Sequence, residues 1–117
     1  MPSTAAHKFA RVSPRKCRLV ADLVRGMDYE EAQAVLKVTP VKSAGLIAKL
    51  LKSAYSNAEV AHLDTNRLFV SKIFVNEAGG LGIQGKLKRY TPRAQGRATP
   101  ILKRSSHIHV ELDERAY

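Results

Sequence analysis

Apolar side chains recur at helical spacing twice in the first half of the chain, and the last clear segment of the second half alternates them with polar ones. Cys17, Val20, Ala21 and Val24 mark a first helix. Ser13-Pro14 opens it, with Ser at the N-cap and Pro at the first helical position, and Gly26 is placed to close it. Asp28-Tyr29-Glu30-Glu31 reads as a second start, an Asp cap with an acid three residues on. That helix ends before Thr39-Pro40, which opens a third. There Val41, Ala44, Ala48, Leu51, Tyr55 and Ala58 form a stripe, widened by Ile47, Leu50 and Ala54 and running to about Ala61.

Beyond His62 to Asn66 the texture becomes β-branched and aromatic. Leu68 to Val75 reads as a strand, and its mixed faces suggest partial cover on both sides. Near the C-terminus Ile108, Val110 and Leu112 alternate with His107, His109 and Glu111, the period of a half-buried strand. Ala5 to Val12 is a further strand candidate. The fold class is therefore α+β: three helices packed on a small antiparallel sheet.

Between the two clear strands, residues 79–100 hold Gly79, Gly80, Gly82, Gly85, Gly96, Pro92 and Pro100 and few apolar side chains. A structureless connection of that length is out of place in a compact domain. A long protruding β-hairpin is the alternative. With about sixteen residues per arm at roughly 3.3 Å each, it reaches on the order of 50 Å. The remaining body, about 85 residues, has an expected radius of gyration near 12 Å, so the hairpin outreaches it. The chain reads as one domain, residues 1–117, with a body of about 1–78 and 102–117 and a basic hairpin of about 79–101.

Composition sharpens this picture. The 117 residues carry 20 Lys/Arg against 10 Asp/Glu, a net charge of +10, and no Trp, so the core must be mostly aliphatic. The excess falls in two places. Residues 1–27 hold Lys8, Arg11, Arg15, Lys16, Arg18 and Arg25 against Asp22 alone. Residues 83–104 hold Lys86, Lys88, Arg89, Arg93, Arg97, Lys103 and Arg104 with no acid. Charge concentrated in this way points to docking on a polyanion. The single cysteine, Cys17, excludes a disulfide framework and a multi-thiolate metal site, and a reducing compartment is the default. The N-terminus lacks a signal-peptide core, and Lys49 interrupts the most apolar stretch, Ala44 to Leu51. A soluble intracellular protein with no membrane span is expected.

Each basic segment suggests its own chemistry. Arg15, Lys16 and Arg18 oppose the macrodipole at the start of the first helix, where acids are favoured. An isolated monomer gains nothing from this, whereas a phosphate there meets both N–H groups and guanidinium groups. In Lys86-Leu-Lys-Arg-Tyr-Thr-Pro-Arg-Ala-Gln-Gly-Arg97, Arg, Gly and one aromatic, Tyr90, interleave as in extensions that penetrate folded RNA. Other candidates fit bland roles better. His107-x-His109 has no third metal ligand and reads as an exposed strand face. Cys17 and Tyr55 read as packing, no acids pair as a catalytic couple, and Gly79-Gly-Leu-Gly82 lacks the βα unit of a dinucleotide loop. No cofactor and no metal are expected, and the chain does not read as an enzyme.

Arg11-Val-Ser-Pro-Arg-Lys-Cys-Arg-Leu-Val-Ala-Asp-Leu-Val-Arg-Gly26 closely resembles the opening of the bacterial large-ribosomal-subunit protein twenty-two family. The likeness continues through Ser53 to Ala58, Lys72 to Val75, Lys88 to Ala98 and Ile101 to Ile108. It implies an α+β body near the peptide exit of the large subunit and a hairpin running inward through ribosomal RNA to line the nascent-peptide tunnel. It also implies early binding in assembly, with the protein acting as a clamp between RNA domains. On this resemblance Leu87, Lys88 and Arg89 match the hairpin segment tied to macrolide response. Tyr90 belongs to the tunnel-lining hairpin, and Arg93, Ala94, Gln95, Gly96 and Arg97 match its tip. Arg15, Lys16 and Arg18 match basic positions at the RNA-facing helix start. Two departures stand out: Ala78 to Gly85 is longer and richer in Gly than the family form, and Thr99-Pro100 stands where a charged pair is expected. Residues Glu114 to Tyr117 read as an untethered end.

The reading is a structural constituent of the large ribosomal subunit that binds its rRNA, supports assembly and lines the tunnel. Lys8, Arg11, Arg15, Lys16, Arg18, Arg25, Lys86, Lys88, Arg89, Arg93, Arg97, Lys103 and Arg104 are the expected RNA contacts. The expected partners are rRNA, neighbouring large-subunit proteins and the nascent polypeptide, with no homo-oligomer. The expected place is the cytoplasmic ribosome, with an organellar ribosome as the alternative. Two rivals stand beside this: a small DNA-binding regulator using the second and third helices as a helix-turn-helix, and a basic nuclease using His107 and His109.

Overall fold

The computed structural model describes residues 2–78, 87–92 and 98–115, with the backbone alone of 87–92 and 98–103. Strand β1 (Ser3–Ala10) leads into helices α1 (Pro14–Val24), α2 (Tyr29–Val38) and α3 (Lys42–Val60). After one 3₁₀ turn come β2 (Leu68–Glu77), β3 (Leu87–Pro92), β4 (Ala98–Lys103) and β5 (Ser106–Glu114). β1, β5 and β2 form an antiparallel sheet in that order, with the last strand at its centre. The three helices cover one face, so the α+β class read from the sequence is what forms.

β5 alternates cleanly: Ser106, Ile108, Val110 and Leu112 are buried and the residues between them are not. Both flanking strands carry a one-residue bulge against it. In β2 the extra residue lies between Val70 and Lys72, so the inward set runs Leu68, Val70 and then Ile73, Val75. This corrects the expectation of a strand covered on both sides. Its faces are distinct, and the bulge at Ser71 hides their period by switching parity. In β1 the irregularity lies between His7 and Ala10, and Phe9 takes a left-handed φ of 57°.

The core is aliphatic. Cys17, Val20, Ala21 and Val24 of α1 meet Ala32 and Leu36 of α2, Ala44, Ile47, Leu50, Leu51, Ala54 and Ala58 of α3, and the inner faces of β2 and β5. The buried stripe of α3 is centred on Ile47, Leu51, Ala54 and Ala58; Val41 is 49 % exposed and lies outside it. Tyr55 packs as expected, its ring stacked on Tyr29 at 4.6 Å. Ser3 and Asn57 lace β1 to α3, Ser3 Oγ donating to the Ala54 carbonyl and Asn57 Nδ2 to the Thr4 carbonyl.

Helix ends depart from expectation in detail. Ser13 and Asp28 occupy the N-cap positions of α1 and α2, but neither side chain makes a capping bond. The Asp28 carboxylate is taken instead by Arg115 Nε, while Arg115 Nη2 donates to the Gly26 carbonyl and its guanidinium lies 4.6 Å from the Phe69 ring centroid. Glu114 accepts from the Asp64 N–H at 2.7 Å and from Arg67 Nη2 at 3.3 Å. The end read as free is thus tied down through Arg115. Gly26, at φ 85°, follows the Arg25 cap in the left-handed conformation glycine favours, and its N–H donates to the Val70 carbonyl. At the end of α3 the left-handed position falls to His62, φ 62°. Leu63 N–H bonds the Ala58 carbonyl and His62 N–H the Glu59 carbonyl, the Schellman pattern.

β2 is an edge strand, and α1 covers its open side. Arg18 Nε and Nη2 both donate to the Val75 carbonyl, at 3.1 and 2.9 Å, and Arg25 Nη2 donates to the Ile73 carbonyl at 2.9 Å. With Gly26 on Val70, these donors occupy edge carbonyls that would otherwise invite another strand.

β3 and β4 form a separate two-stranded ladder, Leu87 facing Lys103 and Pro92 facing Ala98. Its root is the β2–β5 pairing at Glu77 and Ser106, extended by the Ala78 N–H to the Ser105 carbonyl. Residues 78–86 connect the two ladders on one arm and only 104–105 on the other, so the arms are unequal. The Gly-rich lengthening noted in the sequence sits on the longer arm, and residues 79–85 lie outside the described residues. The chain extends 65 × 26 × 17 Å with a radius of gyration of 17.1 Å. A compact chain of this length would have roughly 13 Å.

His62→Gly should raise the unfolding free energy by roughly 0.5–1 kcal/mol, because it removes the left-handed penalty and adds only part of it back as chain entropy. Urea unfolding of the two proteins measures this. Arg18→Ala should lower stability by about 1–2 kcal/mol through loss of two charge-assisted bonds. Arg15→Ala, at an exposed position one turn earlier, should change it by less than about 0.5 kcal/mol. Equal effects from the two substitutions would contradict the clamp.

Candidate nucleic-acid interface

The basic residues of the N-terminal segment divide into two groups. Lys8 on β1, Arg11 in the turn after it, and Arg15 and Lys16 in the first turn of α1 are exposed. None has a carboxylate partner among the described residues. α1 has no acid in its first turn and no side-chain cap, so no side chain of that turn offsets the charge of Arg15 and Lys16. Pro14 removes one amide donor from that turn and fixes the entry of the helix.

Arg18 and Arg25 belong to the second group. The expectation that the basic turn gains nothing inside a monomer is corrected for Arg18, whose fork holds the Val75 carbonyl. The reason is tertiary: the register of β2 brings that carbonyl beside α1. Arg25 spends one nitrogen on Ile73 and another on Asp22 at 2.7 Å. The Arg25–Asp22 side chains are 48 % and 62 % exposed, where an ion pair is weak and leaves much of the charge to act outward.

Arg104, at the root of the β3–β4 ladder, pairs with Glu77 at 2.9 Å. For Leu87, Lys88, Arg89, Tyr90 and Lys103 the structure gives backbone register: Lys88 faces Leu102, Arg89 faces Ile101 and Tyr90 faces Pro100. Pro100, one of the two departures from the family pattern, therefore lies opposite Tyr90, and Thr99 opposite Thr91. Lys86 and the tip residues Arg93, Ala94, Gln95, Gly96 and Arg97 lie outside the described residues. Lys42 was not singled out by sequence; its Nζ donates to the Arg11 carbonyl at 3.0 Å and pins the turn that carries Arg11. Nothing in its local pattern marks it, because the two residues meet only through the packing of α3 beside β1.

The competing chemistries find little footing. His107 Nδ1 accepts the Phe9 N–H at 3.1 Å, and His109 stacks on Phe74 with centroids 4.9 Å apart. Among the described residues no group of three His, Cys, Asp or Glu is placed to hold a metal ion. Cys17 is fully buried and its thiol is pushed up to about 11 by that burial, partly offset by the charge of Arg18, which keeps it protonated at neutral pH. As a recognition helix α3 is poorly arranged: Ser43 and Ala44 at its start are buried and Lys42 is engaged with the backbone. No described helix is long and apolar enough to cross a membrane. The described residues thus present exposed cations on β1 and α1 in a chain that also carries a separately paired ribbon.

Comparison with known proteins agrees. The family model for ribosomal protein L22p/L17e matches residues 5–113. The chain is 52% identical to large ribosomal subunit protein uL22 of Lawsonia intracellularis, with 97% of each chain covered. It is 51% identical to that of Syntrophobacter fumaroxidans, over 98% of this chain and 100% of the relative. It is 46% identical to that of Clostridium novyi, over 99% of this chain and 100% of the relative. These proteins are structural and non-enzymatic, and a match over nearly the whole length leaves one conclusion: the chain belongs to the ribosomal protein L22p/L17e family.

Proposed function

We propose that this protein is a cytoplasmic structural constituent of the large ribosomal subunit that binds large-subunit rRNA and lines the nascent-peptide exit tunnel with its hairpin. The observation that carries the reading is the β3–β4 ladder, paired apart from the body's sheet in a chain 65 Å long and held at its root by β2 and β5. Family membership supplies the ribosomal partner, and the charge distribution supplies the physics. Lys8, Arg11, Arg15 and Lys16 offer exposed cations of the body; Lys86, Lys88, Arg89, Arg93, Arg97 and Lys103 supply the positive charge of the hairpin, and Arg104, paired with Glu77, stands at its root. Arg18 and Arg25 join them with the donors their internal bonds leave over.

In this reading the two surfaces have different tasks. The first turn of α1 takes phosphate at a helix N-terminus, where both the macrodipole and the cations favour an anion. The hairpin neutralises backbone phosphates of RNA segments that converge around it, which supports assembly. Its tip, Arg93 to Arg97, together with Leu87, Lys88, Arg89 and Tyr90, faces the tunnel and the polypeptide passing through it. Neighbouring large-subunit proteins complete the environment of the body, and the protein acts as a single copy.

If about seven phosphates are neutralised by the hairpin, binding to large-subunit rRNA should fall with salt along a log–log slope of roughly −5. Deleting residues 86–97 should remove most of that slope and leave the thermal unfolding of the body intact, since the core formed by the described residues is built from the body's helices and sheet. An unchanged slope, or a body that no longer folds, would refute this division of roles.

A further inference from the structure

All 3 phenylalanines of the chain lie outside the core, on the sheet face that no helix covers. Phe69 and Phe74 alternate outward from β2, and the ring of Phe9 reaches the same face beside His107. Phe9 is 58 % exposed and Phe74 45 % exposed. A body with an otherwise aliphatic interior has no packing reason to leave the rings of Phe9 and Phe74 open to water. Scattered exposed apolar residues are ordinary, but these are clustered and ordered by specific contacts.

The arrangement is built. Phe74 faces His109 across the β2–β5 ladder, and the two rings stack at 4.9 Å and 15°. One step along β5, His107 receives the edge of Phe9 at 4.7 Å and 86°. Phe9 reaches it only because the bulge in β1 puts its backbone at φ 57°, a region unfavourable for a bulky side chain. The strain is held by the Phe9 N–H donating to His107 Nδ1. That bond also sets the neutral tautomer of His107, leaving its Nε2–H as a donor. Asn76 faces His107 on the other side and adds a side-chain amide.

The charges around these rings are mixed in a telling order. At the end nearer the hairpin root stand Lys8 and Arg11, exposed and without carboxylate partners among the described residues, and Arg104, paired with Glu77. Toward the other end Lys72, 71 % exposed, reaches Glu111 at 3.8 Å, and Phe69 is covered by Arg115. Asp113 accepts from the Glu114 N–H. The open aromatics therefore have Lys8 and Arg11 on one side, where Glu77 is held by Arg104, and the Lys72–Glu111 pair and the covered Phe69 on the other. Flat rings, hydrogen-bond donors and flanking cations together match the chemistry of an unpaired nucleotide: a π-face, a base edge and a phosphate.

We infer that the open sheet face, through Phe9, Phe74, His107 and His109, is a stacking platform for an unpaired base of single-stranded RNA. This rests on the RNA-binding role proposed above and adds a second contact, distinct in kind from the hairpin: stacking rather than phosphate neutralisation. The two differ in salt dependence, because stacking releases no counterions.

The test uses the full chain and a single-stranded RNA oligonucleotide with one central 2-aminopurine, whose fluorescence is quenched on stacking. The wild-type protein should quench it. Phe74→Ala and Phe9→Gly, the latter suited to the left-handed backbone, should each weaken binding roughly tenfold to a hundredfold and relieve the quenching, with the salt slope unchanged. Phe74→Tyr should restore both, which separates stacking from misfolding. Deletion of 86–97 should lower the salt slope yet keep the quenching. Variants that bind and quench like the wild type overturn the platform while leaving the rRNA role standing. A wild-type chain that binds neither this oligonucleotide nor large-subunit rRNA at any salt overturns both. RNA binding left intact while a neighbouring ribosomal protein no longer co-purifies makes the face a protein contact and also overturns it.

Discussion

The pairing of β2 with β5 carries the rest of the molecule. The chain leaves its body at Glu77 and returns at Ser106, and these residues face each other in the ladder. Everything from 78 to 105 is an excursion whose ends are held together. Closing such a loop has an entropic cost that grows only slowly with its length, so a long excursion is nearly as easy to hold as a short one. The cost is met by the inward faces of the two strands, where Val70, Ile73, Val75, Ile108, Val110 and Leu112 are buried against the helices. Arg18 on the Val75 carbonyl, the Ala78–Ser105 bond and the Arg104–Glu77 pair reinforce the same point. The basic start of α1 is thereby tied mechanically to the hairpin root.

The bulges in β1 and β2 explain how one small sheet has such different faces. Each switches the parity of its strand, so that a continuous apolar surface is kept inward over the length of β5. The same switches send Phe74 and Phe9 outward beside the two histidines. Without the bulge in β2, the residues after Val70 would present Lys72 and Phe74 to the core and Ile73 and Val75 to solvent. The aliphatic interior and the aromatic exterior are thus two consequences of the same backbone irregularities.

Much of this was readable in the sequence where the governing contacts are local. Ser13-Pro14 marks the start of α1, the apolar stripe marks α3, and the alternation in His107 to Leu112 marks β5. The inserted ribbon followed from residues too polar and Gly-rich to pack, flanked by strands. Non-local contacts were hidden. The bulge at Ser71 scrambles the period of β2, and the Asp28 cap is diverted by Arg115, far along the chain. Arg18 and Arg25 look like free cations until the fold sets β2 carbonyls beside them. Phe9 reads as an ordinary strand residue because nothing in its neighbours foretells a positive φ. Concentrated charge pointed only to a class of partner; the long ordered motifs were needed to point to the family.

A final constraint follows from where stability and affinity reside. The body's stability comes from aliphatic burial and a few internal hydrogen bonds, almost none of it from exposed ion pairs, which are worth little in water. The exposed cations without a carboxylate partner among the described residues, Lys8, Arg11, Arg15 and Lys16, lie on β1, in the turn after it and at the start of α1, outside the core. A two-stranded ribbon is marginal in water by itself, so a ribbon of this kind draws its stability from what it lies against. The body therefore need only fix the root of the ribbon, which it does through the pairing of Glu77 with Ser106. Arg18 is the exception that joins the two regimes: its fork belongs to the fold, and its charge remains at the surface beside Arg15 and Lys16.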